Sequence, residues 1–226
     1  MRPALYPQCS FKLAAIRWLF LLSSTLLISF LNTSQSGAQS LSSNLSIEEG
    51  AQLWIEGSAS MVNFKCKAQQ LSGVGEIGNT EHPETTVQGQ GTVSIAIILP
   101  VDALDCGKRA MNKDMYEALK AEQHSTIGYQ LLEATLTEQE GIPSDSLSRW
   151  MNIRTRGIMK IAGEQDTTTF NVQGKILNDQ RFRVKGSKPI HMDTYNIDPP
   201  RAMFGLIKAD KNLTVHFDVI VRLNKE

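Results

Sequence analysis

The 226-residue chain is short of the features that would mark it as a metalloprotein, a hydrolase or a nucleic-acid binder. Its four histidines, His82, His124, His191 and His216, stand apart, with no H-x-H or H-x-x-x-H spacing. A metal site of grouped ligands is therefore not expected. There is no G-x-S-x-G elbow for a serine nucleophile. Glu48 and Glu49 sit in a polar stretch and Asp102 and Asp105 read as turn formers, so no acid/base pair is indicated and no catalytic residue is assigned. The 23 basic and 23 acidic residues cancel, and no basic run or basic stripe with interleaved aromatics is present, which argues against a nucleic-acid partner. After the first forty residues no segment is apolar enough to cross a membrane as a helix. Gly73-Val74-Gly75-Glu76-Ile77-Gly78 matches the letters of a dinucleotide fingerprint, G-x-G-x-x-G, yet Asn79-Thr80-Glu81-His82-Pro83 follows where that motif needs a helix. It reads as a glycine-softened strand or bend, and no cofactor is expected.

What is present begins with an export signal. Arg2, Lys12 and Arg17 supply a basic segment with no acid, residues 18–31 an apolar run, and residues 32–40 a small, polar region. Ser36 and Ala38 occupy the −3 and −1 positions of a small-x-small site, which predicts a Sec-type signal peptide over 1–38 cleaved after Ala38. An uncleaved anchor over residues 13–31 is the alternative. Cys9 lies ahead of the apolar run, where a lipobox could not use it. Loss of 1–38 leaves 20 basic and 23 acidic residues in one domain of ordinary size. It also leaves two cysteines, Cys66 and Cys106, and an even number in an oxidising compartment favours a disulfide over two separate thiols.

Residues 39–50 are rich in Ser, Asn and Gln and read as a flexible leader to a domain over 51–224. From there the apolar residues recur at period two. Leu213, Val215, Phe217, Val219, Val221 and Leu223 alternate with Thr214, His216, Asp218, Ile220 and Arg222. Similar alternation runs through residues 53–56, 62–68, 92–99, 127–131, 153–161, 168–172 and 182–184, about eight strands in all, punctuated by Gly, Asn, Asp and Pro. Residues 108–122 depart from it: Met111, Met115, Ala118 and Leu119 fall at helical spacing and predict one short amphipathic helix. A chain of antiparallel strands with one polar face must stack two sheets or close one, and closure removes both edges. The strand lengths favour a long all-β barrel. Its inner face is either packed solid or open to one long apolar ligand, since barrels of this size do both.

Several segments resemble the YceI-like proteins. The run Met111-Asn112-Lys113-Asp114-Met115-Tyr116-Glu117-Ala118-Leu119-Lys120, after a strand ending in Val101-Asp102-Ala103-Leu104, is similar to that family's helix. Thr126-Ile127-Gly128-Tyr129-Gln130-Leu131 stands where the family has a P-x-I-x-F segment, here without the proline. Gly157-Ile158-Met159-Lys160-Ile161-Ala162-Gly163 resembles its V-x-G-x-L-x-I-x-G hairpin. The stretch from His191 through Tyr195-Asn196-Ile197 to Pro200, then Phe204-Gly205-Leu206-Ile207, resembles the segment before its last strand, though a glycine is missing after Tyr195. The likeness spans residues 52–223. It implies an extended, eight-stranded, lipocalin-like antiparallel barrel with one short helix, exported to a bacterial periplasm or secreted, which holds an isoprenoid or similar amphiphilic lipid for transport or storage. A homodimer is possible in such a reading, and the sequons at Asn44 and Asn212 would then carry no glycan. The residues expected to line the interior are Phe64, Ile97, Met115, Tyr116, Tyr129, Leu131, Phe170, Val172, Phe182, Phe204, Val215 and Phe217. Two rivals remain. One is an enzyme using the same cavity, with Asp193, Tyr195 or Arg201 turned inward; the other is an interaction protein with a filled core and an exposed apolar patch.

Overall fold

Among the described residues, period-two alternation produces twelve antiparallel strands, and a helical period one α-helix: β1 (Ser42–Ile47), β2 (Gln52–Ala59), β3 (Val62–Ala68), β4 (Ser72–Gly78), β5 (Thr92–Pro100), β6 (Leu104–Asp105), α1 (Arg109–Ala118), β7 (Thr126–Leu136), β8 (Met151–Ile161), β9 (Glu164–Asn178), β10 (Arg181–His191), β11 (Arg201–Ala202) and β12 (Ile207–Asn224). This computed structural model describes residues 42–60, 62–78, 92–137, 149–202 and 207–224. The expected export signal and cleavage site, with Cys9 and Phe204, lie outside the described residues.

The first three staves of the barrel are each made of two strands. β1 and β2 run in line and pair with β4 and β3 respectively, Ser46 opposite Val74 and Trp54 opposite Lys67. β4 then pairs with β5, and β3 with β6 beyond a 3₁₀ turn at Val101–Ala103. From β5 the order is a simple meander through β7, β8, β9, β10 and β12. β12 is long enough to complete the ring alone: Val221–Asn224 face β1, and Leu213–Asp218 face β2. The result is a closed, eight-stave antiparallel barrel with no free edge along the ring. β11 is a two-residue pairing against β12, off the ring.

Local chemistry accounts for these elements. In β8, Met151, Ile153, Thr155 and Gly157 are buried while Asn152, Arg154 and Arg156 are exposed, so one face of the strand is committed to the interior. The β8–β9 hairpin turns on Ala162 and Gly163, both left-handed at φ 49° and 89°, the two-residue geometry whose twist suits antiparallel neighbours. α1 begins and ends inside the expected 108–122. It stops in a Schellman-type cap, with left-handed Lys120 donating to the Glu117 carbonyl (3.0 Å) and Ala121 to that of Tyr116 (2.9 Å). One expectation is corrected. Residues 39–50, read as a flexible leader, contain β1, because Leu45 and Ile47 of an otherwise polar segment pair opposite Leu223 and Val221. The glycine triplet at 73–78, read as a glycine-softened strand or bend, is strand β4, where Gly75 lies so near the Ser94 carbonyl that a Cβ would sit 2.5 Å from it.

Candidate functional site

The barrel interior has two levels. At the end away from α1, Leu45, Met151, Ile153, Val172, Val219 and Leu223 are buried against one another's staves. Above them an aromatic layer crosses the barrel: Tyr129 meets Phe170 at 5.7 Å between centroids, and Phe170 meets Phe217 edge-on at 6.3 Å. Toward α1 the interior opens into a cavity of about 370 Å³. β2 and β12 supply Leu53, Ile55, Leu213 and Val215; β5, β7 and β8 supply Ile97, Leu99, Ile127, Tyr129, Met159 and Ile161. Ile190, Met192, Ile197 and Pro200 close it from the end of β10 and the loop beyond.

The helix roofs this space. Met111, Asp114, Met115, Ala118 and Leu119 line the cavity, yet no α1 residue is fully buried, because the apolar face of the helix overhangs a void. Its position is held at the base. Cys66 of β3 and Cys106, just ahead of α1, form a disulfide whose two residues belong to the cavity wall. Asn112 donates from Nδ2 to Asp105 Oδ1 (2.9 Å) and accepts from the Cys106 amide (2.8 Å), while Gly107 N donates to the same Asp105 oxygen (2.8 Å). These donors hold the Asp105 carboxyl below its ordinary pKa, Asn112 first. Tyr116 donates its hydroxyl to the Leu104 carbonyl (2.7 Å), with that of Asp102 at 3.0 Å. Burial, then the charges of Asp102 and Asp105, raise its pKa and keep that proton in place.

Among the described residues that line the cavity, only Lys108, Asp114 and Tyr129 have side chains that carry oxygen or nitrogen. Lys108 and Ala110 are the exposed members, so the opening lies beside the start of α1. Tyr129 lies flat across Gly157, where a Cβ would fall 2.5 Å from its ring carbon and hydroxyl. Its hydroxyl is sealed beside Thr155 without a well-formed hydrogen bond, and burial raises its pKa. The cavity therefore offers an apolar chain almost nothing but carbon and sulfur. Four methionines, Met111, Met115, Met159 and Met192, make its wall adaptable in shape.

Of the residues expected to line the interior, Phe64, Ile97, Met115, Tyr129 and Val215 meet at this cavity. Leu131, Phe170, Val172, Phe182 and Phe217 do not line it. Phe170 and Phe217 build the aromatic layer; Leu131 and Val172 are buried, and Phe182 packs over Gly174. Tyr116 anchors the helix from outside the cavity. Met192 and Ile197 were missed because they lie in a loop, where no strand period flags an inward side chain.

The polar residues named for an enzyme do not converge. Asp193 is half exposed and bonded to Lys211 at 2.7 Å, Arg201 is exposed, and Tyr195 is 2% exposed within the apolar cluster of Ile161, Ile190 and Met192. Burial, with the charge of Asp166, pushes the Tyr195 pKa up to about 12, far from proton exchange at neutral pH. His216 faces outward as expected, but it is stacked on Trp54 rather than simply solvated. Among the described residues no group of three His, Cys, Asp or Glu could hold a metal ion.

No protein-family model matches the chain, and no curated protein matches it by sequence. Solved structures do. Burkholderia cenocepacia BcnA aligns at 12% identity with a TM-score of 0.55, over 75% of this chain and 95% of that one. A polyisoprenoid binding domain from Saccharophagus degradans, implicated in plant cell wall breakdown, aligns at 11% identity and 0.59, over 79% and 98%. A variant of the Campylobacter jejuni YceI protein aligns at 9% and 0.50, over 72% and 86%. At such identities the likeness is one of fold, and the chain has the barrel fold of YceI-type proteins.

Proposed function

We propose that this chain is a YceI-like lipid-binding protein that holds an isoprenoid or similar long amphiphile in the cavity beneath α1. The observation that carries the reading is the cavity itself, roofed by a helix with its apolar face over a void. A chain drawn from water gains about 0.8 kcal/mol per buried methylene, and this wall asks nothing polar of it in return. The fold shared with a polyisoprenoid binding domain supports the same class of ligand. Lys108 and Asp114 stand where a polar head would emerge. Binding without catalytic turnover is the reading supported by the dispersal of Asp193, Tyr195 and Arg201 over exposed and buried positions, and the filled-core reading is disfavoured by the open upper level.

Export to a periplasm or secretion belongs to the same proposal, supported by the signal-like first 38 residues and by a disulfide that an oxidising compartment would preserve. Transport or storage is the role such a protein would serve. A homodimer would have an apolar outer surface to use at Val74, Ile98 and Leu132, which are 66, 45 and 43% exposed. Sedimentation at increasing concentration tests it.

For the ligand, purified protein is extracted with organic solvent and the extract analysed by mass spectrometry, alongside titration with geranylgeraniol. A co-purifying long-chain lipid or saturable uptake of the probe is expected. An empty extract together with no uptake would overturn the reading.

A further inference from the structure

The outer wall holds a second concavity, unconnected with the lipid cavity by any lining residue and independent of that proposal. It is a groove of about 420 Å³ crossing β8, β9, β10, β12 and β2. Strand register sets its composition. Asn152 lies opposite Gln173, Gln173 opposite Lys185, and Lys185 opposite Asp218, forming one polar row. Ser187 lies opposite His216 and His216 opposite Trp54, and with Asn171 they form a second row. Each row spans four adjacent strands, so its ends lie about 14 Å apart, from three gaps of about 4.8 Å.

Both described tryptophans stand on this wall rather than in the core. Trp54 is stacked on His216, with centroids 5.1 Å apart and planes at 11°, and carries Lys65 Nζ 4.4 Å from its ring. Trp150 lies beneath Lys185 Nζ at 4.1 Å and Arg183 at 5.9 Å. The Trp54–His216 stack lines the groove itself, and Trp150 adjoins it through Lys185, a lining residue. On the floor the side chains of Asn171, Gln173 and Ser187 have no hydrogen-bond partner among the described residues. Carboxamides donate and accept at once, as does a serine hydroxyl, so the floor matches a ligand whose own groups do both. The Asp218 carboxylate, with Arg183 committed to it at 2.6 and 2.7 Å, disfavours a phosphate. The closed ring leaves no strand edge to which an extended peptide could add.

We propose that this groove is a saccharide-binding site that takes a short oligosaccharide across the strands, its hydroxyls on the amide floor and one end against the Trp54–His216 stack. The test is calorimetric titration of the full chain with three hexasaccharides, a neutral glucan, an N-acetylglucosamine oligomer and a galacturonate oligomer. It is run beside Asn171→Ala/Gln173→Ala, whose changes are both exposed and should leave the thermal midpoint in place. At least one oligomer should bind saturably and lose about tenfold in affinity in the double variant, the scale of one to two lost hydrogen bonds. The indole N–H signals of Trp54 and Trp150 should shift during the titration. Failure of all three oligomers to bind, undiminished binding by the double variant, or binding that leaves both indole signals still would overturn the proposal. Geranylgeraniol uptake should be equal in both proteins, so this result stands or falls apart from the lipid reading.

Discussion

At the scale of single residues, Tyr129 and Gly157 form a unit whose two halves should respond oppositely to substitution. Tyr129→Phe removes a buried hydroxyl without a well-formed bond, so stability in urea should be unchanged or higher by up to about 1 kcal/mol. Gly157→Ala drives a methyl into the Tyr129 ring and to 2.6 Å from the Gln130 carbonyl, and should cost about 1–3 kcal/mol in the same measurement. Glu48 gives a pH signature. Arg181 grips it with two bonds (2.9 and 2.7 Å) and Arg222 with a third (2.8 Å). Those bonds, Arg181 first, hold its pKa below the ordinary 4.5. The carboxylate is 13% exposed, but its cover is the solvated arginine chains themselves, so the effect is modest. Because the folded pKa is depressed, the contribution is complete above the ordinary glutamate value and fades as pH falls through the folded one. Thermal midpoints of the wild type and Glu48→Gln should therefore differ at pH 7 and converge toward pH 3; a constant gap would deny the charge a role. At this scale the sequence revealed which side chains face inward, through the alternation in β8 and β12. Period two reports the face of a strand and not the height along the barrel, so Phe64 and Phe217 looked equivalent although one lines the cavity and the other lies beneath it.

At the scale of elements, the disulfide is the device that fixes α1 to the wall. It spans 40 residues of sequence, and its replacement in Cys66→Ser/Cys106→Ser should lower unfolding free energy by about 2–4 kcal/mol. Hydrogen exchange should rise most in α1, which is otherwise held by Asn112, Tyr116 and its Schellman-type cap; a uniform rise would refute the local role. The helix was legible because Met111, Met115, Ala118 and Leu119 share a face, and the β8–β9 hairpin because Gly163 marks its turn. β1 was not, since only Leu45 and Ile47 interrupt its polar letters and the pairing that makes it a strand comes from β12, far along the chain, with Ile47 opposite Val221 and Asn44 opposite Asn224. The interruptions between β1 and β2, β3 and β4, and β5 and β6 were invisible for the same reason.

At the scale of the whole molecule, a barrel solid at one end and hollow at the other should tolerate filling. Ala118→Phe directs a ring from the helix into open space, so the thermal midpoint should hold or rise while geranylgeraniol uptake falls at least about tenfold. Unimpaired uptake would show that the lipid sits elsewhere. Period and strand length favoured a long barrel of about eight strands, and the family resemblance implied its closed, lipocalin-like form, whereas the division into two levels arises from three aromatic rings meeting across it, which no linear pattern records. The meander also dictates an order of events. Neighbouring staves zip up as local hairpins, but the ring closes only when the last strand reaches the first, the most distant pairing in the chain and the slowest kind to form. Ala209, Leu213 and Val215 of that closing strand belong to the cavity wall. The cavity beneath α1 is thus completed by that last pairing, and under the proposed function a ligand would enter after folding, through the opening beside α1, rather than be wrapped up during it.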